Sequence, residues 1–224
     1  MSDQVSLAGG TPDHQVPFAL LTVALQEWAA VCVALGEGRV VLTLRKGGIH
    51  EHGGELFRPE HQRFVLFPTY LHQEPAKLQP HFAHLVSTVD PSPGVHRVAL
   101  WAEVAHVWKI TDLATIHALG PELPWTVAEI DKRFAYRDEP WLYVMALRIH
   151  RFKTPLEMAD HASYAGCRSW IPLQQPVSVA ESSPVLSNGL FEIRLDRLNT
   201  VLAPGRPISR GLLGPVKRAP RSRS

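Results

Sequence analysis

The sequence predicts an α+β fold, a small curved mixed sheet decorated by helices, and three observations point there. Segments of period 3.6 and of period 2 follow in the order α, β, β, α, β, α, α, β, without the strict alternation of a doubly wound sheet. The β-branched and aromatic run from Val95 to Ile110 is too long for one straight strand and must bend, as strands do in small barrels. With 224 residues, 45% hydrophobic and 20% charged, the chain has ordinary globular composition and enough length to bury a core without staples.

The elements follow in order. Residues 1–16 are polar and turn-rich, and are expected to be a flexible N-terminus ahead of a single domain over 17–202. Leu21, Leu25, Trp28, Cys32 and Leu35 recur at helical spacing, so an amphipathic helix is expected, with Glu27 opposite Leu25 and Gly36 at the left-handed C′ position. Val40, Leu42 and Leu44 alternate with Arg39, Thr43 and Arg45 as a strand, which runs into the glycine-rich stretch Lys46 to Gly54. Phe64 to Phe67 is a short buried strand before Pro68-Thr69-Tyr70, and Pro80 opens a helix carrying Phe82, Leu85 and Val86. After the long run to Ile110, Thr111-Asp112 caps a helix bearing Leu113 and Ile116, which Gly120-Pro121 stops. Thr126 and Glu129 have capping-box spacing, with Val127, Ile130 and Phe134 as the inner stripe of the next helix. A strand from Trp141 to Phe152, a Pro- and Ser-rich stretch from Pro172 to Ser187, and a helix marked by Phe191, Leu195, Leu198 and Leu202 complete the domain.

Charge is unevenly placed. Residues 203–224 hold six bases, Arg206, Arg210, Lys217, Arg218, Arg221 and Arg223, and no acid. Removing these six from the 23 Lys and Arg leaves 17 against 21 Asp and Glu, so a slightly acidic body carries a basic tail expected to be disordered. Such a tail can hold RNA or DNA loosely, or serve only to solubilise. No stretch has the roughly 18–20 apolar residues needed to cross a bilayer, and the N-terminus lacks a signal peptide's basic patch and cleavage site. Two cysteines, Cys32 and Cys167, make neither a disulfide framework nor a cysteine zinc site, so a cytoplasmic protein without membrane association is expected.

Four constellations bear on chemistry. Glycines after a strand let backbone amides approach an anion, so Arg45, Lys46, Gly47 and Gly48 form a candidate phosphate or carboxylate site, against a hairpin loop with solvated charges. Neither Walker nor dinucleotide-binding spacing is present. Among the 12 histidines, His50 and His52 lie two apart near Glu51 and His61, but no diagnostic ligand spacing appears, so no metal and no cofactor is expected. Arg133 and Arg137, four apart beside Tyr136, would share a helix face and could grip a phosphate or pair with Glu129 and Asp138. Arg148 lies on an apolar strand face and needs partners, and Cys167 reads as a packed thiol.

These segments together resemble a bacterial family catalogued as domain of unknown function eighteen-zero-two. The resemblance rests on Glu27-Trp28 leading to Ala34-Leu35-Gly36, on Leu44 to Ile49, and on Phe67-Pro68-Thr69-Tyr70 with His72-Gln73. It continues in Arg133-Phe134, Tyr136-Arg137, Arg148 with Pro155, and Gly166-Cys167 with Ser169-Trp170, spanning about residues 24 to 173. It implies that these separated polar pieces belong together, and brings no assigned activity. A looser resemblance is to the PUA-like superfamily, with its ASCH and EVE modules, through Gly38-Arg39 before Leu42 to Arg45 and through Val98 to Ile110 with the capped helix after it. That resemblance implies a small barrel that binds RNA or modified nucleosides. ASCH amidohydrolases share a Lys, Thr and Glu set, whereas here Arg39 stands for the lysine with no threonine immediately after it, so binding is expected over amide hydrolysis.

The leading expectation is therefore a binding module for a phosphate-bearing ligand, RNA, DNA or a nucleotide. Arg45, Lys46, Gly47, Gly48, Gln73, Arg133, Tyr136, Arg137 and Arg148 would line the pocket, with Tyr70 or Trp170 stacking on a base. The rival is a hydrolase or nuclease with Glu51 and His72 as catalytic candidates, Glu27 or Glu60 as further acids, and Lys46 or Tyr70 assisting.

Overall fold

The computed structural model describes residues 20–46, 61–166 and 168–202. Seven strands form one mixed sheet: β1 (Leu20–Trp28), β2 (Leu42–Arg45), β3 (Arg63–Thr69), β4 (Val95–Ile110), β5 (Leu142–Ala159), β6 (Trp170–Ser178) and β7 (Ser182–Pro184). Their order is β2-β5-β4-β3-β1-β6, with β7 paired to β5 beside this path. Only β1 and β3 run parallel, and the other pairs are antiparallel. Among the described residues five α-helices decorate the sheet, α1 (Ala29–Gly36), α2 (Pro80–Ala83), α3 (Leu113–His117), α4 (Val127–Phe134) and α5 (Asn188–Leu202). The α+β class with a curved mixed sheet is as expected. The long run from Val95 is one strand, β4, and two register shifts against β5, at Val98/Leu100 and Val104/His106, supply its bends.

The first segment differs from the helix expected of it. Leu20–Trp28 is a strand, and helix begins only at Ala29. Leu21, Leu25, Trp28, Cys32 and Leu35 satisfy a helical period by coincidence, while Val23, Leu25 and Glu27 also satisfy period 2. A register shift against β6 between Leu21 and Val23 turns the chain over, so that Leu21 and Ala24 join a smaller core with Phe67, Trp101 and Tyr164. Val23 and Leu25 join the main one, and Glu27 continues their alternation. Helix α1 is apolar all round and buried except at Val33, and so shows no amphipathic stripe. Its left-handed residue lies two positions beyond the expected one, at Gly38 (φ 67°), with Gly38 N–H donating to Leu35 O and Arg39 N–H to Ala34 O, a Schellman arrangement. A Cβ at Gly38 would also lie 2.7 Å from Leu186.

The predicted caps form. Asp112 accepts from the amides of Ala114 and Thr115, and the Thr126 hydroxyl accepts from Glu129 N–H. The reciprocal half of the box is absent, because the Glu129 carboxylate turns to Arg133 and Thr126 N–H donates to Lys77 O. Helix α4 stops at Phe134, and Arg137 and Asp138 take left-handed conformations (φ 64° and 59°). The end of α4 at Phe134 and the left-handed Arg137 mean that Arg133 and Arg137 do not share the expected helix face. The Pro- and Ser-rich stretch also carries regular structure: β6 pairs with β1, and β7 pairs with His150 to Phe152. No helix among the described residues is long and apolar enough to cross a membrane.

Candidate functional site

Strands β1 and β2 share no backbone ladder, yet side chains join them. From the end of β2 Thr43 donates its hydroxyl to Glu27 Oε2 at 2.9 Å, and Arg45 Nη2 donates to the Gln26 carbonyl at 3.0 Å. The Arg45 guanidinium lies 3.8 Å from Glu27 Oε2, and these side chains are only 15% and 7% exposed. Glu27 Oε1 accepts from Trp28 N–H at 2.9 Å, so the carboxylate is held by a hydroxyl and an amide and reaches Arg45 at longer range. Alternation along β1 aims an acid at the core, and a buried carboxylate requires such partners.

Helix α4 supplies a second guanidinium. Arg133 Nε donates to Glu129 Oε1 at 2.8 Å, and its Cζ lies 3.6 Å above the ring centroid of Trp125, which is buried. Trp28 meets Trp125 edge-on at 4.9 Å, and Lys77 Nζ lies 5.9 Å over the Trp28 ring. Burial lowers the affinity of Arg45 for its proton, Glu27 opposes that, and the field of Arg133 adds to it. Two donors in this cluster, Arg45 Nε and Trp125 Nε1, are buried without a hydrogen-bond partner among the described residues. Burial pushes the Cys32 thiol well above its ordinary range, and Glu27 adds to this, so Cys32 is an inert neighbour here.

The expected site residues divide. Arg45 and Arg133 meet in this cluster. Gln73 is buried beside it, accepting Ala30 N–H at 2.9 Å and donating to Ser87 O, which pins the start of α1 to the chain after β3. Tyr70 follows Thr69, whose hydroxyl donates to the Glu27 carbonyl, and the Tyr70 hydroxyl is raised by burial and then by Asp90. Trp170 packs edge-on against Phe64 at 4.9 Å, one residue from the Ser169 carbonyl that accepts Gln26 N–H.

Lys46 lies farther along, its ammonium donating to the carbonyls of Phe134, Glu139 and Trp141 and lying 4.5 Å over the Trp141 ring. Burial lowers its proton affinity, against the pull of Glu139. Tyr136 and Arg137 are exposed on the turn after α4, and His72 is exposed in a left-handed conformation (φ 63°). Arg148 engages α5 instead, donating to Asn188 Oδ1 and Ser187 O and lying 4.7 Å over Phe191. Gly47, Gly48, Glu51, the pair His50 and His52, Glu60, Cys167, the N-terminus and the basic tail lie outside the described residues.

Reasoning from sequence missed Thr43, Trp28, Trp125 and Glu129. The signal for Glu129 was its i,i+4 spacing to Arg133, there weighed only as a surface pair. Thr43 and Trp125 carry no local signal, because their partners are distant in sequence.

A family model described as "Domain of unknown function (DUF1802)" matches residues 24–197. No curated protein matches the chain. Among solved structures, the ASCH protein from Zymomonas mobilis is similar at 14% identity with a TM-score of 0.41, covering 68% of this chain and 87% of that one. A tyrosine-to-phenylalanine mutant of the same protein is similar at 13% identity with a TM-score of 0.40, covering 68% and 90%.

Proposed function

The chain belongs to the DUF1802 family, which brings no assigned activity, and from its own geometry we propose that it is a binding module for a phosphate-bearing ligand, RNA, DNA or a nucleotide, at the β1–β2 seam. The observation that carries this is a covered guanidinium, Arg45, whose Nε has no acceptor among the described residues, with a second unpartnered donor at Trp125 under Arg133. Arg45 is mostly buried and electrostatically coupled to Arg133, while Arg45 Nε and Trp125 Nε1 have no acceptor among the described residues. A buried donor without an acceptor costs about 1–3 kcal/mol, and an anionic oxygen removes that cost while relieving the repulsion between the cations. Glu129 fixes Arg133 Nε and Trp125 supports its flat face, which is the preorganisation that bidentate phosphate recognition needs. Trp28 and Tyr70 border the cluster and supply aromatic surface for a base.

The test is titration of fluorescently labelled single-stranded RNA and DNA over a salt series. Saturable binding that weakens with salt, and falls at least about tenfold in Arg133→Gln, is expected. Absence of saturable binding of RNA, DNA and adenosine 5′-monophosphate at every salt concentration would overturn the proposal. A second reading, hydrolysis, draws on the buried Thr43 hydroxyl bonded to Glu27. Under that reading Glu27→Gln would abolish turnover of a bound substrate while leaving its binding in place.

A further inference from the structure

Resting on that reading, we propose that the anion taken at the β1–β2 seam is a terminal phosphomonoester, carried by the end of a single strand or by a free nucleotide, and not an internal phosphodiester. Depth is the first argument. The Arg45 side chain is 85% covered and stands beside Glu27 and Thr43, while the tryptophan under Arg133 is buried. An internal phosphodiester carries a sugar on both sides, and both must follow it to reach a covered cation. A terminal group enters end-on with a single ester oxygen trailing toward the rim.

Charge is the second argument. Each guanidinium has one carboxylate nearby, Glu27 at 3.8 Å from Arg45 and Glu129 at 2.8 Å from Arg133. The Glu27 oxygens also accept from Thr43 and Trp28, and Oε2 stands 3.8 Å from Arg45, whose Nε is left without an acceptor among the described residues. A phosphomonoester carries about −1.5 to −2 charge at pH 7, because its second pKa lies near 6, whereas a diester carries one. The stronger acceptor suits a covered cation with an unpartnered N–H.

Donor count agrees: Arg45 Nε and Trp125 Nε1 are unpartnered among the described residues, and a monoester offers three strong acceptors where a diester offers two. Lys77 over Trp28 is a cation available to the next phosphate of a strand.

The experiment compares 12-nucleotide RNAs of one sequence with 5′-phosphate or 5′-hydroxyl, and with 3′-phosphate or 3′-hydroxyl, the label on the opposite end. Adenosine 5′-monophosphate and adenosine serve as competitors. At least one phosphorylated end is expected to bind about tenfold tighter than its hydroxyl counterpart, and the preference to shrink between pH 7.5 and 5.5 as the second charge titrates. Arg133→Gln, on the surface of α4, is expected to reduce the preference below about twofold. Arg45→Gln is expected to do the same wherever circular dichroism shows it folded. Competition by the monophosphate alone would assign the site to a free nucleotide; competition by neither, with the end preference intact, would assign it to a strand end. Equal binding of phosphorylated and hydroxyl ends, still lost in Arg133→Gln, would overturn this inference and leave the binding module standing. No binding of any oligonucleotide or monophosphate would overturn both.

Discussion

At the β1–β2 seam, a guanidinium stands beside a carboxylate already held by a hydroxyl and an amide, lies within the field of a second guanidinium, and keeps one N–H unpartnered among the described residues. At the contact between β5 and α5, Arg148 lies over the Phe191 ring and donates to an amide oxygen and a backbone carbonyl at the start of the helix. Both arginines leave strands rich in apolar residues. The second is taken up by neutral groups of its own fold and acts as a clip for α5. The first sits among charges the fold does not fully satisfy, and that incomplete satisfaction is what a ligand can complete. An arginine on an apolar strand is therefore no sign of a site by itself; the charge state and satisfaction of its neighbours decide.

The largest expected effect bears on the seam. Glu27→Ala leaves Arg45 covered without its carboxylate and should cost about 3 kcal/mol in guanidinium-chloride unfolding; a loss below about 1 kcal/mol would mean that solvent already screens the pair. Thr43→Val removes one hydrogen bond to the buried carboxylate and should cost about 1.5 kcal/mol by the same assay. Arg148→Gln, by contrast, should cost at most about 1 kcal/mol and leave ligand binding unchanged; weakened binding would erase the distinction between the two arginines.

The smallest effect concerns His150, two residues from Arg148 on β5 and stacked 4.0 Å from Trp101. Burial, then Arg148, with a smaller part from Arg63, lowers its proton affinity below the ordinary 6.5, against the pull of Glu103. The folded state thus binds this proton less readily than the unfolded chain, so the associated stability is complete above about pH 6.5 and is lost as pH falls through the depressed value. Unfolding midpoints at pH 7.5 and 5.5 should differ less in His150→Gln than in the parent, and an identical difference would remove His150 from the account.

What was legible in the sequence was local. Asp112 and Thr126 announce their helices because a cap acts within three residues, and the Val95 run announces a bent strand because its length exceeds what a straight one uses. The segment from Leu20 misleads because its apolar residues fit two periods, and because α1, apolar all round, lacks the polar face that would mark its start. The site was legible only in part. Arg45 and Arg133 stand out as charges flanked by apolar residues, but the contact that gives Arg45 its meaning joins two strands that do not pair, through Thr43, 16 residues from Glu27. Trp125 looks like any core tryptophan until Arg133 is seen lying on it. Arg137 fails to join Arg133 because the helix ends at Phe134 and Arg137 turns left-handed, which i,i+4 spacing alone does not foresee.

The central claim is that Arg45 and Arg133 together receive a phosphate group while Arg148 does not. It is tested most directly by following the arginine Nε–H signals of the ¹⁵N-labelled protein by NMR as adenosine 5′-monophosphate and, in a second series, end-phosphorylated 12-nucleotide RNA are added, saturable shifts with either counting as binding. The account predicts saturable shifts of the Arg45 and Arg133 signals, assigned by Arg45→Gln and Arg133→Gln, with Arg148 unmoved. Shifts confined to Arg148, or small linear drifts of every arginine with ionic strength, would contradict it.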